Sequence, residues 1–432
     1  MSLSYRRSVV VSLIALLIVG LMPQAHARRT RVKRLSKGVV YRVYEEHNPR
    51  LKIRTVTIQP YRVDEIRAVL GSGQLPGWER TSSIARRTRA VAAINGDYGR
   101  PSGRPVMAFA HSARLIQTPL TAGKNFGVSY GRDAMIGFPR PHIWLNAAGL
   151  NLPIARVNNG GPYGNSLAMF DRSGGSIERP PRLGCSIRVV SAGFPHPDSD
   201  RSGVVARYRV DRVKCTRGRL FPLGGRVISA RWRTRKARLI AALPKGTVVS
   251  LGWSLGWGAL RESVGGNPTL VENGRVVVPK STAPFFARHP RTGVGVTPRG
   301  KVIFATVDGR QRRSVGMTLR GFARFFRGLG AETALNLDGG GSTTMVVRGR
   351  VMNRPSDGAE RPVSSALVVL PRDGVRRSFR AIGTVTAARI WRAVSSDPAS
   401  VGGLADSLRR TGVRLDGALR AAATRVRRAA RS

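Results

Sequence analysis

The sequence predicts an α+β fold in which β-strands dominate, with a few helices packed on mixed sheets. Short segments alternate apolar and polar side chains, as in LKIRTVTI at 51–58, which is typical of strands. Unbroken apolar runs such as AVAAI at 90–94 indicate strands buried on both faces. Between these runs, helical spacing is clearest over 318–330.

The first residues have the features of an export signal. Arg6 and Arg7 precede an apolar run over 9–22, and Ala25-His26-Ala27 is an A-x-A cleavage site. We therefore expect a signal peptide over 1–27, a mature chain beginning near Arg28, and a secreted or envelope-associated protein. The run is shorter than the roughly 20 residues of a membrane span, and no later stretch approaches that length. A retained anchor is the alternative.

Composition divides the rest of the chain into three parts. Residues 28–37 (RRTRVKRLSK) are strongly basic, and we expect a mobile arm. Residues 38–372 form the main domain, in which 120–250 holds many turn signals and is expected to be a β-rich segment that frames the substrate. Residues 373–432 form a basic tail that is partly helical. This tail could lie on an anionic surface or pack on its own domain.

Within the main domain, several elements can be placed. Residues 82–88 predict a short helix capped by Thr81. Pro298-Arg299-Gly300 separates two apolar runs and predicts a hairpin. The helix over 318–330 has Thr318 as its N-cap and Gly330 as its stop. The strand TALNL at 333–337 follows, which predicts a right-handed crossover connection.

The charge is extreme. The chain holds 74 basic and 23 acidic side chains, for a formal net charge of +51. Such a surface favours polyanions, including anionic lipids and phosphate-bearing wall polymers. A base bias of the genome is the alternative explanation. Nucleic acid is not the expected partner, because aromatic content is 6% and no stacking residues interleave with the basic runs.

Only two cysteines are present, Cys185 and Cys215. In an exported chain, two cysteines that close one modest loop predict a disulfide. Two free buried thiols are the alternative. A zinc site is not expected, since no histidine cluster lies near them.

The strongest local signal is ALNLDGGGSTT at 334–344. The strand delivers Asn336 and Asp338 to a sheet edge, and three glycines follow, where backbone can approach a ligand closely. Such a segment can hold an anion beside a carboxylate, or it can be a tight turn between strands. It is not a P-loop, because no Lys follows the glycines, and it lacks the following helix of a dinucleotide fingerprint.

Five ordered segments make a resemblance specific: RTGVG at 291–295, VDGR at 307–310, GMTL at 316–319, ALNLDGGGST at 334–343 and MNRPSDGAERPVSSALVV at 352–369. Together they resemble the phosphodiester glycosidase family. Upstream, INGDY at 94–98 and GGNPTLVENG at 265–274 are similar to the family's Asn-Gly and glycine-rich elements. The resemblance extends over roughly 40–372 and implies a β-rich hydrolase domain, a phosphodiester glycosidase that acts on carbohydrate phosphodiesters. We expect its substrate in cell-wall or extracellular polysaccharide.

The resemblance also implies a set of site residues: Asn95, Arg291, Thr292, Asp308, Asn336 and Asp338, with Gly339, Gly340 and Ser342 in an anion-facing turn. Arg291 would bind phosphate through its guanidinium fork. Asp338 would act as base or nucleophile, and Asp308 as second carboxylate or orienting partner. Asn95 and Asn336 would bind sugar hydroxyls. Asp97-Tyr98 departs from the family pattern, which leaves the role of Asp97 open.

Other interpretations remain at this stage. His111 and His289 are the histidines nearest these segments, and each is more often structural than catalytic. The sequence requires no cofactor, although carboxylates near the glycine turn are ligands of the kind that Ca²⁺ takes. A non-catalytic surface module that binds anionic wall polymers is the alternative function.

Overall fold

The structure is a computed structural model that describes residues 29–63, 65–174, 184–198, 200–215 and 224–371. The expected signal peptide and the basic tail lie outside the described residues. Three α-helices occur in the described part: α1 (Thr81–Thr88), α2 (Arg235–Ala241) and α3 (Leu319–Gly328). None of the helices found there has the length and apolar character needed to cross a membrane. The predicted β dominance is confirmed, and with so few helices the α+β label fits only loosely.

The first half of the described chain contains the following strands: β1 (Arg29–Ser36), β2 (Val39–His47), β3 (Arg50–Ile58), β4 (Glu65–Leu70), β5 (Ala92–Asn95), β6 (Phe109–His111), β7 (Arg114–Gln117), β8 (Lys124–Ser129), β9 (Ala134–Gly137), β10 (His142–Ala147), β11 (Leu150–Val157), β12 (Leu167–Asp171) and β13 (Gly184–Ser191). The second half contains these: β14 (His196–Asp198), β15 (Gly203–Lys214), β16 (Gly225–Arg231), β17 (Val248–Ser254), β18 (Leu260–Gly266), β19 (Thr269–Glu272), β20 (Arg275–Val276), β21 (Arg291–Val296), β22 (Val302–Val307), β23 (Thr333–Asn336), β24 (Met345–Val347), β25 (Arg350–Val351) and β26 (Ser365–Leu370).

These strands form four sheets. Sheet 1 has the order β1-β2-β3-β22-β21-β23-β19-β20, and sheet 2 has the order β25-β24-β5-β26-β4. Sheet 3 has the order β7-β6-β18-β8-β9. Sheet 4, built largely from the segment 120–250, has the order β13-β16-β12-β11-β10-β17-β15-β14. Sheets 1, 2 and 3 contribute side chains to one shared apolar cluster, which fixes their strand ends relative to one another.

Sheet 1 contains the predicted hairpin and crossover. β21 and β22 pair antiparallel across the turn at Gly300, and β23 pairs antiparallel with the other side of β21. Helix α3 connects β22 to β23, and the Thr318 side chain accepts from the Gly321 N–H at 3.1 Å. A Cβ at Gly293 would lie 2.9 Å from both Phe322 and Phe326, so glycine lets the helix approach the strand.

Two local expectations are wrong. Residues 29–36 were expected to be mobile, but they form β1, which pairs with β2 and buries Leu35. The N-cap of α1 is Arg80 rather than Thr81, and the cap makes no side-chain hydrogen bond. Instead, the Glu360 carboxylate accepts from the Ser82 N–H at 2.7 Å, where a negative charge stabilises a helix N-terminus.

The predicted disulfide is present in sheet 4. Cys185 lies in β13 and Cys215 follows β15, and these two strands pair directly, with Ser186 opposite Lys214. The Cα atoms of the two cysteines are 4.0 Å apart. The disulfide therefore cross-links strands that already pair, and it closes a loop of 30 residues.

Replacing both cysteines with serine should lower the free energy of unfolding by about 3–4 kcal/mol, because the cross-link restricts the unfolded chain. Urea denaturation of wild type and of the double variant under non-reducing conditions measures the difference. Reduced wild type should match the double variant. Equal midpoints for oxidised and reduced protein would contradict the prediction.

Candidate active site

Three strand ends meet at the glycine turn. The Asp338 N–H donates to the Gly96 carbonyl at 3.0 Å, which joins the end of β23 to the loop after β5. The Leu337 N–H donates to the Thr292 carbonyl at 2.9 Å, which continues the ladder in which Gly293 faces Asn336. The same register, extended by two residues, places Arg291 opposite Asp338. The structure therefore brings Asn95, Arg291, Thr292, Asn336 and Asp338 together.

Asn95 is the hub of this junction. Its Nδ2 donates to the Asp338 carbonyl at 2.7 Å, and its Oδ1 accepts from the Thr292 hydroxyl at 2.8 Å and from the Thr344 N–H at 3.0 Å. Asn95 and Thr292 are both fully buried. Because these groups are occupied inside the protein, Asn95 and Thr292 position the site, and the expected sugar contact of Asn95 does not fit the geometry.

Asn336 is also buried, and only one of its two polar side-chain atoms is hydrogen-bonded. Its Nδ2 lies 2.7 Å from the Tyr98 hydroxyl and 2.9 Å from the Asn267 carbonyl. Tyr98 in turn donates to the Asn267 carbonyl at 2.9 Å. The Oδ1 of Asn336 is buried and has no partner among the described residues. Asn336 thus fixes Tyr98 and retains one unsatisfied acceptor.

Arg291 is 2% exposed, and its guanidinium is held by carbonyl groups rather than by a carboxylate. Nε donates to Met317 at 3.1 Å, and Nη2 donates to Phe285 and Ala287 at 2.8 and 2.7 Å. Burial lowers the pKa of Arg291 to about 10, with a further lowering from the Arg310 charge. Within the described part of the chain, Nη1 has no acceptor, so this edge of the cation can receive an anion.

Asp338 is the accessible carboxylate of the site. It is partly exposed, and the Ser342 hydroxyl and the Gly339 N–H lie close enough to lower its pKa. Burial raises the pKa of Asp338, although these two donors and the Arg361 charge oppose that shift. Its backbone is held by Asn95 and Gly96. The carboxylate is thus fixed in place and open to a ligand.

The glycine turn makes room for side chains more than it offers N–H groups. The Gly340 N–H donates to the Pro290 carbonyl at 3.0 Å, and the Ser342 N–H donates to the Gly339 carbonyl at 3.1 Å. A Cβ at Gly341 would lie 2.0 Å from Asp357 and 2.3 Å from Arg361. The expected anion-facing backbone is therefore largely occupied, and the glycines instead let charged side chains pack on the turn.

Asp308 is brought near the site but is occupied by the protein. It is 3% exposed; Oδ2 accepts from Arg54 Nη1 at 2.8 Å, and Oδ1 accepts from the Arg354 N–H at 3.2 Å. Its carbonyl accepts from the Ser314 hydroxyl at 2.6 Å. Of the two roles expected for Asp308, these contacts favour the orienting partner over the second carboxylate.

Arg310 and Phe285 lie at the site and were not singled out by the sequence reasoning, whereas His289 was noted there as a histidine near the family segments. Arg310 lies against Gly340, with Nη2 3.5 Å from where a Cβ would be. His289 holds that arginine: Nε2 contacts the Pro284 carbonyl at 2.8 Å, and Nδ1 lies 3.3 Å from Arg310 Nη2. Phe285, 43% exposed, presents its ring 5.5 Å from the Arg291 guanidinium. Arg310 belongs to the VDGR segment, which was the available signal.

Asp97, whose role the sequence left open, lies beneath the site. It is 1% exposed, and Oδ2 accepts from the Met107 N–H at 2.7 Å, whereas Oδ1 has no partner among the described residues. Burial raises the pKa of Asp97 to about 7, and the Asp338 charge adds to that shift.

As for a metal, the described residues contain no group of three or more His, Cys, Asp and Glu side chains that could hold an ion.

Arg54→Ala should lower the free energy of unfolding by about 3–5 kcal/mol, because the buried Asp308 would lose its charged partner. Lys124→Ala is the matched control: its partner Glu272 is 46% exposed, so the loss should stay below about 1 kcal/mol. Chemical denaturation of both variants measures the difference. Similar losses in the two variants would show that the Arg54–Asp308 pair does not stabilise the fold.

Asp97→Asn should become relatively more stable as pH rises. Because burial raises the pKa of Asp97 to about 7, the folded protein retains a proton that the unfolded chain loses near pH 4. Raising the pH through this window therefore destabilises wild type, whereas asparagine does not titrate. Thermal unfolding midpoints at about pH 5 and pH 8 test this. A difference between variant and wild type that is the same at both pH values would refute it.

Comparisons with known proteins identify a related family over part of the chain. Residues 189–370 match the phosphodiester glycosidase family. A stretch of 87 residues is 40% identical to the SPbeta prophage-derived uncharacterized protein YomE of Bacillus subtilis, covering 20% of this chain and 14% of that protein. A stretch of 67 residues is 42% identical to the mouse N-acetylglucosamine-1-phosphodiester alpha-N-acetylglucosaminidase, covering 16% of this chain and 13% of that enzyme. The chain thus matches only a small part of either relative's length.

A crystal structure supports the fold. A Burkholderia pseudomallei protein to which export is ascribed superposes with a TM-score of 0.56 at 18% identity, covering 81% of this chain and 97% of that one. At such an identity the likeness concerns the fold alone. The resemblance to the phosphodiester glycosidase family is confirmed over residues 189–370, the part of the chain that carries Arg291, Asp308 and Asp338.

Proposed function

We propose that this chain hydrolyses glycosyl phosphodiesters, with Arg291 binding the phosphoryl group and Asp338 acting at the sugar. One observation carries the proposal: a buried guanidinium that has no carboxylate partner among the described residues and a partly exposed carboxylate stand at the adjoining ends of the paired strands β21 and β23. The family match over 189–370 supports the reaction class. The name of the mouse relative, which refers to an N-acetylglucosamine-1-phosphodiester, suggests the linkage.

The charge distribution suits a phosphodiester. Arg291, Arg310 and Arg361 all lie around the glycine turn, and Arg361 forms an ion pair with Asp357. The other two arginines have no carboxylate partner within the described ranges. A phosphodiester carries one negative charge. It would supply the counter-ion that the buried Arg291 guanidinium lacks.

The leaving group of this reaction needs little protonation. Cleavage of the anomeric C–O bond releases a phosphate monoester, which is a far weaker base than an alkoxide, so stabilisation of its charge matters more than its protonation. Asp338 then serves either as the base that takes a proton from the attacking water or as the nucleophile that forms a glycosyl-enzyme. Water supplies the oxygen of the released sugar in both cases.

The sugar would bind between the aromatic rim and the buried amide. The exposed ring of Phe285 flanks Arg291, and Asn336 at the end of β23 has a buried acceptor without a partner among the described residues. Apolar sugar faces pack on aromatic rings, while hydroxyl groups need hydrogen-bond partners. Export and an anionic cell-wall or extracellular polysaccharide as substrate belong to the same proposal, and both are supported by the signal-like N-terminus and the disulfide.

Asp338→Asn should lower kcat/KM at least about 100-fold on a model phosphodiester of N-acetylglucosamine 1-phosphate, because the variant loses the reacting carboxylate. Arg291→Lys, which keeps the charge but loses the fork, should raise KM and lower kcat. Released N-acetylglucosamine is the readout. Asp198→Asn, in sheet 4, is the matched control and should retain full activity.

Two outcomes would argue against the proposal. Wild-type turnover that Asp338→Asn leaves unchanged would remove Asp338 from the mechanism. Salt-sensitive binding of wall polymer without any released sugar would instead favour the non-catalytic polyanion-binding module, for which the exposed basic residues of β1 are the supporting feature.

A further inference from the structure

The β6–β7 hairpin of sheet 3 has a strained two-residue turn. Ser112 and Ala113 have φ values of 50° and 60°, a left-handed conformation that hairpin turns usually fill with Asn or Gly. The Ser112 N–H donates to Glu262 Oε1 at 2.9 Å, and the Ala113 N–H donates to the Arg261 carbonyl at 2.8 Å. Neighbouring β18 therefore holds the turn in a conformation that its own residues disfavour.

The strained turn completes a chain of three side chains. Ser112 Oγ lies 3.1 Å from His111 Nε2, and His111 Nδ1 lies 3.0 Å from Glu262 Oε2. Ser112 is exposed, the His111 side chain is 37% exposed and Glu262 is 1% exposed. A nucleophile at the surface, a base behind it and a buried acid is the order of a Ser-His-acid triad.

The hydrogen bonds are consistent with one assignment of the protons. Burial raises the pKa of Glu262, and the His111 contact and the Ser112 N–H oppose that shift. Both Glu262 oxygens accept a backbone N–H, from Ser112 and from Ala68 at 2.9 Å each, as an ionised carboxylate does. The contact with His111 Nδ1 is then an N–H donated by the ring. Nε2 is left as the acceptor, so it can receive the Ser112 hydroxyl proton. With the protons assigned in this way, the histidine has the tautomer that a general base requires.

The hairpin lies apart from Asp338. Glu262 is in the first half of β18, whereas Gly266 at its end lies against the Asn336 carbonyl. The four residue steps from Glu262 to Gly266 span about 13 Å of strand. A separate chemistry can therefore occur at the hairpin without occupying the phosphodiester site.

We propose that Ser112 is an activated nucleophile and that this hairpin hydrolyses small O-acyl esters. Ser112 Oγ bonds to the acyl carbon as its proton passes to His111 Nε2; the ester C–O bond breaks, and the leaving alcohol takes that proton. Water repeats the sequence on the acyl-serine and releases a carboxylic acid. Glu262 remains ionised throughout and holds the imidazole.

Arg114 supplies the charge for the oxyanion. It pairs directly with His111 across the hairpin, so both side chains stand on the same face of the sheet. Arg114 is exposed, and it has no ion-pair partner in the described part of the chain. The turn N–H groups are already bonded, so a side-chain cation takes the role that backbone donors have elsewhere. The same cation favours esters carried on an anionic polymer.

A fluorophosphonate probe tests the proposal, because it phosphonylates activated serines with loss of fluoride. The full-length protein should be labelled once, at Ser112 by peptide mass spectrometry, and should hydrolyse p-nitrophenyl acetate. Ser112→Ala should abolish labelling, and His111→Asn should slow it at least 10-fold. Ser191→Ala, an exposed serine at the end of β13, is the matched control and should label as wild type does.

The variants also separate this proposal from the phosphodiester reaction. Asp338→Asn should label normally, and Ser112→Ala should retain phosphodiester turnover. Both hairpin changes are at the surface, and circular dichroism is the measurement that checks whether each variant is folded. Absence of labelling in wild type, labelling that survives in Ser112→Ala, or equal rates in wild type and His111→Asn would each overturn the proposal.

Discussion

The carboxamide of Asn95 is the interaction on which the rest of the site depends. It ends β5 of sheet 2 and bonds to Thr292 of sheet 1, to Thr344 and to the carbonyl of Asp338. A buried amide that satisfies all these groups fixes their distances, and any other residue would leave several of them unpaired. The position of the Asp338 carboxylate therefore follows from a residue that touches no ligand.

Around this hub, small residues allow charges to gather. Gly340 and Gly341 lie beneath Arg310, Arg361 and Asp357, where any Cβ would meet a charged side chain. Gly293 and Gly295 admit the phenylalanines of α3, and so bring β21 and its Arg291 under the helix. Glycine thus contributes by close packing as well as by turning the chain. The outcome is a cationic cluster held by apolar packing and carbonyl groups.

The sequence predicted much of sheet 1 because its signals are local. The hairpin at Gly300, the cap at Thr318 and the buried run of β23 each depend on a few consecutive residues. The pairing of β1 was missed, since arginine and lysine on alternate positions of an edge strand look like a solvated arm. The cap at Glu360 was missed because its partner lies 278 residues away from Ser82.

Site roles were harder to predict than site membership. The ordered segments identified residues that do meet. They did not indicate that the polar side-chain atoms of Asn95 and Asp308 are already hydrogen-bonded within the protein. For Asp308 the distinction depends on Arg54, which lies 254 residues away and belongs to none of the segments that carry the family resemblance. The arrangement of Glu262 against His111 is likewise a contact over 151 residues, invisible to spacing.

Four carboxyl groups differ in the protein groups that stabilise them, and this difference separates structural from reactive roles. Asp308 has an arginine, Glu262 has two N–H groups and an imidazole, and Asp97 has backbone N–H groups only. Each of these buried carboxyl groups is hydrogen-bonded by the protein itself, and the free-energy cost of ionising it grows as those partners become weaker. Asp338 differs, because it has no arginine or lysine within ion-pair distance among the described residues and remains partly exposed at the end of β23, the strand that pairs with β21 and its Arg291. A carboxylate and a cation at neighbouring strand ends, neither neutralised by the other, can act together on a ligand that bears both a phosphate and an electron-poor carbon.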